Sequence, residues 1–290
     1  MDIEDPIPIY NLAESYYFGN GVERSYVKAA ELYRKAASMG HAPSQFSLGN
    51  MYEFGHGVEQ SCTEAVWWYR VASDNGDIIA RRCLGVMYEN GSGVEQSYTV
   101  AERLYRSSAE QGDPVAQRYL ADLYEYGNGV EHSHDEALRW YILSAEQGDP
   151  VAQRLLGAFY EFGNGVEQSY GEAVRWYRSS VEKGDAYAQW CLGDMYENGK
   201  GVEQSYEEAF RLYTLSAEQG EPIAQNAIAD MYYDGRGVEQ SYEEAFKWYL
   251  LAAEQGFLDA QYRVAYMYEN GKGVEQSYEE AERWYDSWDS

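Results

Sequence analysis

Leu-Gly-Asp-Met-Tyr-Glu-Asn-Gly-Lys-Gly-Val, residues 192–202, holds the end of one helix and the turn that leaves it, and it decides the fold because it recurs. Its closing Gly-Val, followed by Glu, begins at Gly21, Gly57, Gly93, Gly129, Gly165, Gly201, Gly237 and Gly273. All seven intervals are 36 residues, with no insertion or deletion. A period of this length marks a solenoid or another repeat array, in which each unit buries its apolar face against its neighbours. Counted from Asp5, the units are 5–40, 41–76, 77–112, 113–148, 149–184, 185–220, 221–256 and 257–290, the last one two residues short. Residues 5–290 therefore read as a single repeat array with no linker or second domain.

Each unit reads as a helix-turn-helix. Helix A opens at an N-cap acid followed by proline, as at Asp113-Pro114, a pairing that satisfies free N–H groups and presets φ. Ala188, Leu192, Met195 and Tyr196 then recur at i, i+4, i+7 and i+8, one apolar helix face. The glycine pair Gly127 and Gly129 stops the helix, since glycine readily takes positive φ. A valine fixed in the polar turn, Val130 in this unit, is expected to plug the gap between the two helices. Helix B opens at a serine present in every unit, with Glu three residues on at Glu64, Glu136, Glu172, Glu208, Glu244 and Glu280. This is the pattern of a capping box, in which serine and glutamate each satisfy a free N–H. Ala209, Leu212, Tyr213 and Ser216 give helix B its core stripe, and Glu207–Arg211, Glu243–Lys247 and Glu279–Arg283 are expected as i, i+4 pairs on its solvated face. The B-to-A loop is only Gly-Asp-Pro or similar, which forces antiparallel, tightly stacked neighbours. The expected architecture is all-α: a right-handed α/α superhelical solenoid of eight 36-residue helix-turn-helix repeats.

The stretch Leu192–Val202, then Ala209, the Trp176-Tyr177 step and Ala-Glu-Gln-Gly at Ala217–Gly220 resemble the Sel-one-like repeat family, relatives of tetratricopeptide repeats, over nearly the whole chain. The resemblance implies an adaptor or scaffold with helix A lining the concave side. The chain departs from many relatives in having Ser where they have Asp before the helix B Tyr, one N-cap residue for another. A cysteine-rich branch, some of whose members resemble penicillin-binding or β-lactamase proteins, pairs cysteines in each unit. That branch is the source of the alternative reading, an enzyme or small-molecule binder. Here Cys62, Cys83 and Cys191 make no such pattern, and no disulfide is expected, since Cys83 and Cys191 share a phase three units apart and packed helices lie roughly 8–10 Å from one another.

The net charge of −27, from 22 basic and 49 acidic residues, would repel phosphate backbones and anionic headgroups. Nucleic acid and membrane are thus poor partners, and a protein or peptide suits better. No apolar run approaches the ~18 residues of a membrane span, and the N-terminus lacks the basic and apolar regions of a secretory signal, so a cytoplasmic location is the expectation.

Positions that vary among faithful copies are the candidate contacts. The third, sixth, seventh, tenth and fourteenth positions of helix A cluster opposite its core stripe. The sixth reads Tyr10, Phe46, Arg82, Arg118, Arg154, Trp190, Asn226 and Tyr262, and the tenth includes Asp122, Asp194, Asp230 and Tyr266. Aromatics and arginines are common interface anchors, so Arg82, Arg118 and Arg154 are expected as a ladder for a segment carrying acids. A competing surface is an acidic ridge at the turn edge, Glu23, Glu59, Glu95, Glu131, Glu167, Glu203, Glu239 and Glu275 beside Glu53, Glu89, Glu125, Glu161, Glu197 and Glu269. Self-association through end units is a third expectation, because Phe257-Leu258 replaces the acid-Pro start and Trp284 and Trp288 enrich the C-terminal end.

Catalytic motifs do not survive inspection. Ser25-Tyr26-Val27-Lys28 has the letters of S-x-x-K, but its serine is a helix cap, and Gly19–Arg24 lacks the later glycine and Gly-Lys-Ser/Thr ending of a phosphate loop. His132 and His134 read as surface histidines, a lone H-x-H offering too few ligands for a metal. The sequence thus points to a non-enzymatic scaffold without cofactor or metal, binding protein through the helix-A surface.

Overall fold

The computed structural model describes residues 5–288, with side chains through residue 286. Among these residues there are sixteen helices and no strand. The helices are α1 (Pro6–Phe18), α2 (Tyr26–Ser38), α3 (Ala42–Phe54), α4 (Cys62–Asp74), α5 (Ile78–Asn90), α6 (Tyr98–Ala109), α7 (Pro114–Tyr126) and α8 (His134–Glu146). They continue with α9 (Pro150–Phe162), α10 (Tyr170–Val181), α11 (Ala186–Asn198), α12 (Tyr206–Glu218), α13 (Pro222–Asp234), α14 (Tyr242–Glu254), α15 (Leu258–Asn270) and α16 (Tyr278–Trp288). Odd-numbered helices are the A helices and even-numbered ones the B helices of eight repeats. The chain forms two compact units, one ending at Ser144 and the other beginning at Ala145. Each holds four helix pairs, apart from the last turn of α8.

Local chemistry sets the helix ends. Asp113 Oδ1 accepts from the N–H groups of Val115 and Ala116 at 2.9 and 3.1 Å, with Pro114 at the first helical position. Gly199 (φ 67°) ends α11 in the left-handed region, and its N–H is donated to the Met195 carbonyl. Gly201 (φ 70°) serves a second purpose: a Cβ there would lie 2.5 Å from the Tyr170 carbonyl oxygen of the preceding repeat, so only glycine permits that approach. Val58, Val94, Val202, Val238 and Val274 are half-buried against the core clusters, in the plugging role expected of them.

The capping box is half made. Ser205 Oγ accepts from the Glu208 N–H at 3.2 Å, as in the other B helices. The Ser205 N–H, however, is donated to the Tyr196 carbonyl of the same repeat at 3.0 Å, and the equivalent serine-to-tyrosine bond runs from Ser25 to Ser277. That backbone bond closes the A-to-B turn and leaves the third-position glutamate with no N–H to accept. It turns forward instead and forms i, i+3 pairs, as in Glu172–Arg175, Glu208–Arg211 and Glu244–Lys247, in place of the expected Glu207–Arg211 and Glu243–Lys247 pairs. Glu207 and Glu243 accept from the cap hydroxyls of Ser205 and Ser241.

Within each unit, adjacent repeats are tied by side chains as well as by apolar burial. Gln117 Nε2 donates to the Ala109 carbonyl and Gln225 Nε2 to that of Ala217, from helix A to the end of the preceding helix B. The turn residue Lys200 reaches back to Glu161, Arg236 to Glu197 and Lys272 to the Tyr233 hydroxyl, each 39 residues earlier. The three cysteines are free.

Candidate partner-binding face

Burial of a tyrosine in each of the first seven repeats organises the helix-A surface. Tyr33, Tyr69, Tyr105, Tyr141, Tyr177, Tyr213 and Tyr249 are at most 1% exposed, and every hydroxyl finds an acid on its own helix A. Burial is the main cause that pushes each phenol well above its ordinary pKa, with the neighbouring carboxylate adding to the shift, so each remains a donor. In repeats two, three, five and six the acceptor is Glu53, Glu89, Glu161 or Glu197, at the thirteenth position of helix A. In repeats one, four and seven it is Glu14, Asp122 or Asp230, at the tenth.

Two expected sites change character as a result. Asp122 and Asp230 hold tyrosines from below, while Asp194 pairs with Lys200 at 3.2 Å and with Asn198 at 2.8 Å. Likewise Glu53, Glu89, Glu161 and Glu197 drop out of the solvated ridge, because the fold spends their carboxylates on tyrosine hydroxyls. The outer row from Glu23 to Glu275 remains fully exposed.

The sixth position is mostly half-buried, with Tyr262 exposed. Its arginines are engaged: Arg82 Nε meets the N-cap carboxylate of Asp113 at 3.0 Å, and Arg154 Nε meets Asp185 at 3.3 Å, each the cap of the following helix A. Arg118 lies 3.7 Å from Asp122 and 4.5 Å above the Tyr119 ring. Arg154 covers Tyr187 at 4.9 Å. Tyr10 packs on Tyr33 and Phe46 on Tyr69, with ring centroids 5.9 Å apart in both pairs. Trp190 meets Tyr187 edge-on at 5.2 Å.

Between successive A helices these side chains frame clefts. One of about 390 Å³ lies between α1 and α3, walled by Tyr10, Tyr17, Phe18 and Phe46 around Glu14. Another of about 370 Å³ lies between α5 and α7, with Tyr119, Tyr126, Glu89 and Asp122. A third of about 420 Å³, between α9 and α11, brings together Arg154, Phe162, Tyr187, Trp190 and Asp194. The fourth, about 490 Å³ between α13 and α15, is lined by Asn226, Asp230, Asp259, Tyr262 and Arg263.

The fourteenth position, one of the variable positions of helix A, supplies contact candidates whose individual residues the sequence reading left unnamed. Phe18, Phe54, Tyr126 and Phe162 are 60, 59, 70 and 67% exposed, where the remaining repeats carry Asn90, Asn198, Asp234 and Asn270. Their signal lay in that column, a switch from aromatic to polar at the end of helix A. At the C-terminal end, Trp284 packs against the last core cluster with Phe257, while the Trp288 side chain lies outside the described residues. One group among the described residues has metal-ligand chemistry: Glu125, His132 and His134, whose ligand atoms all lie within 4.8 Å of one another. No described helix is long and apolar enough to cross a membrane.

Sel1 repeats match at residues 9–41, 42–77, 83–113, 114–149, 150–185, 186–221, 222–257 and 258–288. The chain belongs to the Sel1 repeat family. It is similar to the crystal structure of a protective antigen present in uropathogenic Escherichia coli strains, with 36% identity, a TM-score of 0.83 and 98% of this chain covered. The match spans 61% of that antigen's length. A Sel1 repeat protein from Oxalobacter formigenes is 28% identical with a TM-score of 0.77, covering 99% of this chain and 84% of that one. Yeast Tom70, 11% identical with a TM-score of 0.50, covering 99% of this chain and 60% of that one, shares the helical-repeat fold alone. No curated protein matches the chain by sequence. Solenoids of Sel1 repeats are typically protein-interaction scaffolds.

Proposed function

We propose that this Sel1 repeat protein is a non-enzymatic scaffold that receives a protein or peptide along its helix-A face. The contact set is Tyr10, Phe46, Arg82, Arg118, Arg154, Trp190 and Tyr262, with Asp122, Asp194 and Asp230 beneath them. The observation that carries the reading is the exposure of large aromatics at the fourteenth position of helix A, with Phe18, Tyr126 and Phe162 lining clefts and Phe54 exposed at the same position, on a chain otherwise rich in surface acids. Large rings left in water at the mouths of clefts are suited to anchoring a partner's apolar side chains. Because Arg82 and Arg154 are already paired with Asp113 and Asp185, the arginines shape the cleft walls and the rings supply the adhesion.

The test starts from a partner captured from the native host, whose affinity is then measured by calorimetry for the parent, F54S/F162S and R118A/R154A chains. The exposed phenylalanines can be changed with little effect on the fold, and their loss is expected to weaken binding at least tenfold, about 1.4 kcal/mol. The arginine pair is expected to cost less, chiefly by loosening the walls. Full affinity in both variants sinks the reading. A basic partner on the outer glutamate row, Glu23 to Glu275, is the second reading, favoured by the exposure of all eight side chains and the charge of −27. It requires affinity that falls steeply with salt and ignores both variants.

A further inference from the structure

We propose that repeat four carries a transition-metal site formed by Glu125, His132 and His134. Three departures from the other repeats converge on this one turn. Where repeat three has Gln96 and Tyr98, and repeat five has Gln168 and Tyr170, repeat four has His132 and His134. Those neighbours show what the backbone does with these positions. Gln96 Nε2 donates to the Glu89 carbonyl at 2.7 Å and to the Tyr98 hydroxyl at 3.3 Å, and Gln168 does the same with Glu161 and Tyr170 at 2.7 and 3.2 Å. The turn therefore gathers the end of helix A, the turn residue and the first residue of helix B in every such copy. Replacing glutamine and tyrosine by histidines puts two imidazoles into a cluster the fold has already assembled.

The third departure frees the carboxylate. Glu89 and Glu161 are held by the buried hydroxyls of Tyr105 and Tyr177. In repeat four the hydroxyl of Tyr141 goes to Asp122 at 2.6 Å, so Glu125 turns to the histidines and lies 2.8 Å from His134 Nδ1. The two imidazole rings stand edge to face with centroids 4.5 Å apart. Two imidazoles and one carboxylate are a ligand set for zinc and its neighbours cobalt, nickel and copper, rather than for calcium or magnesium, which take oxygen ligands. Ligand atoms within 4.8 Å need only close to roughly 3.3 Å to meet a metal through bonds of about 2.0–2.1 Å, and exposed His132 has the rotamer freedom to do so. Water completes the coordination. A metal held there clamps the end of α7 to the start of α8.

Calorimetric titration of the metal-free full chain with zinc chloride at pH 7.5 tests the site. One equivalent is expected to bind. H132Q/H134Y, which restores the residues of repeats three and five and so keeps the turn intact, is expected to lower affinity at least a hundredfold, and E125A about tenfold. Cobalt in place of zinc should give visible absorption bands of imidazole coordination in the parent chain and none in the double variant. No zinc uptake by the parent chain overturns the site, and so does uptake of equal strength by H132Q/H134Y, which would place the ion on surface carboxylates. None of these outcomes depends on whether a protein partner uses the helix-A face.

Discussion

Repeat four and repeat five bury a tyrosine at the same point of helix B, Tyr141 and Tyr177, yet the two hydroxyls go to acids one helical turn apart. The ninth and tenth positions of helix A account for the difference together, since repeat four has Ala121-Asp122 where repeat five has Gly157-Ala158. The ninth residue of repeat five is Gly157, and a Cβ there would lie 2.6 Å from the Tyr177 ring, so the ring rests directly on the helix backbone and its hydroxyl reaches Glu161. In repeat four it is Ala121, whose methyl stands where that ring would lie, and the hydroxyl meets Asp122 instead. Gly49, Gly85 and Gly193 go with Glu53, Glu89 and Glu197, while Ala13 and Ala229 go with Glu14 and Asp230. The ninth-position methyl goes with the tenth-position acid only where one is present: in repeat eight Ala265 is followed by Tyr266, and Tyr285 donates to Glu269 at 3.2 Å. The methyl and the supply of acids together set which carboxylate is used structurally, and in repeat four the one left over is Glu125.

The largest effect should come from forcing one arrangement onto the other. G157A sets a methyl against Tyr177 and lifts its hydroxyl away from Glu161. Overpacking costs ~1–3 kcal/mol and an orphaned buried hydroxyl about as much again, against a gain of ~1 kcal/mol in helix propensity. A net loss of about 2–3 kcal/mol is expected in denaturant unfolding of the purified chain. G157A/A158D supplies the Ala-Asp pair of repeat four and should recover at least half of it. Equal instability of the two variants would break the link between the methyl and the choice of acid.

Next come the acids themselves. D122A leaves Tyr141 buried without its acceptor and E161A does the same to Tyr177, so each should cost ~1–3 kcal/mol. E125A, at the position equivalent to Glu161, loses only a partly exposed contact with His134 and should change stability by no more than ~0.5 kcal/mol. Chemical denaturation of the three variants checks the ordering. A loss for E125A as large as that for E161A would mean that the two repeats do not differ as described.

The helix pairs were legible in the sequence because their determinants are local: cap serine, acid-proline start, glycine pair and apolar spacing all act within a few residues. The repeat identity was legible for the same reason, through eight copies in register. The tyrosine–acid bonds were not, because they join positions 16 or 19 residues apart and depend on a neighbouring methyl. The structural duty of Asp122 and Asp230, holding Tyr141 and Tyr249, does not show in the tenth column alone, because the ninth, tenth and thirteenth positions act together. The third member of the histidine cluster escaped notice on the same ground, since Glu125 is separated from His132 by the turn. The fourteenth position was legible as variable, but the exposure of its rings was not, because it sits one residue before the helix-ending glycine and the turn that follows sets how far each ring is covered.

Repeat seven uses the arrangement of repeat four and gives the finest test of it. Asp230 accepts from the Tyr249 hydroxyl and lies 3.7 Å from Arg263, both of which favour its charged form, yet burial outweighs them and raises its pKa above the ordinary 3.8. Between the ordinary and the raised value the folded chain holds a proton that the unfolded chain has released. Stability contributed by this group is therefore fully present below the unfolded pKa and is lost as pH rises through the folded one. D230N keeps an oxygen for Tyr249 and cannot ionise, so its stability relative to the parent should increase as pH is raised across the acid range. Thermal melts of parent and variant at matched ionic strength measure that difference directly, without requiring the rest of the acidic surface to be silent. A difference that stays flat, or falls with rising pH, would mean that Asp230 is charged at no cost and that the tenth-position acid is as well solvated as the glutamates of the outer row.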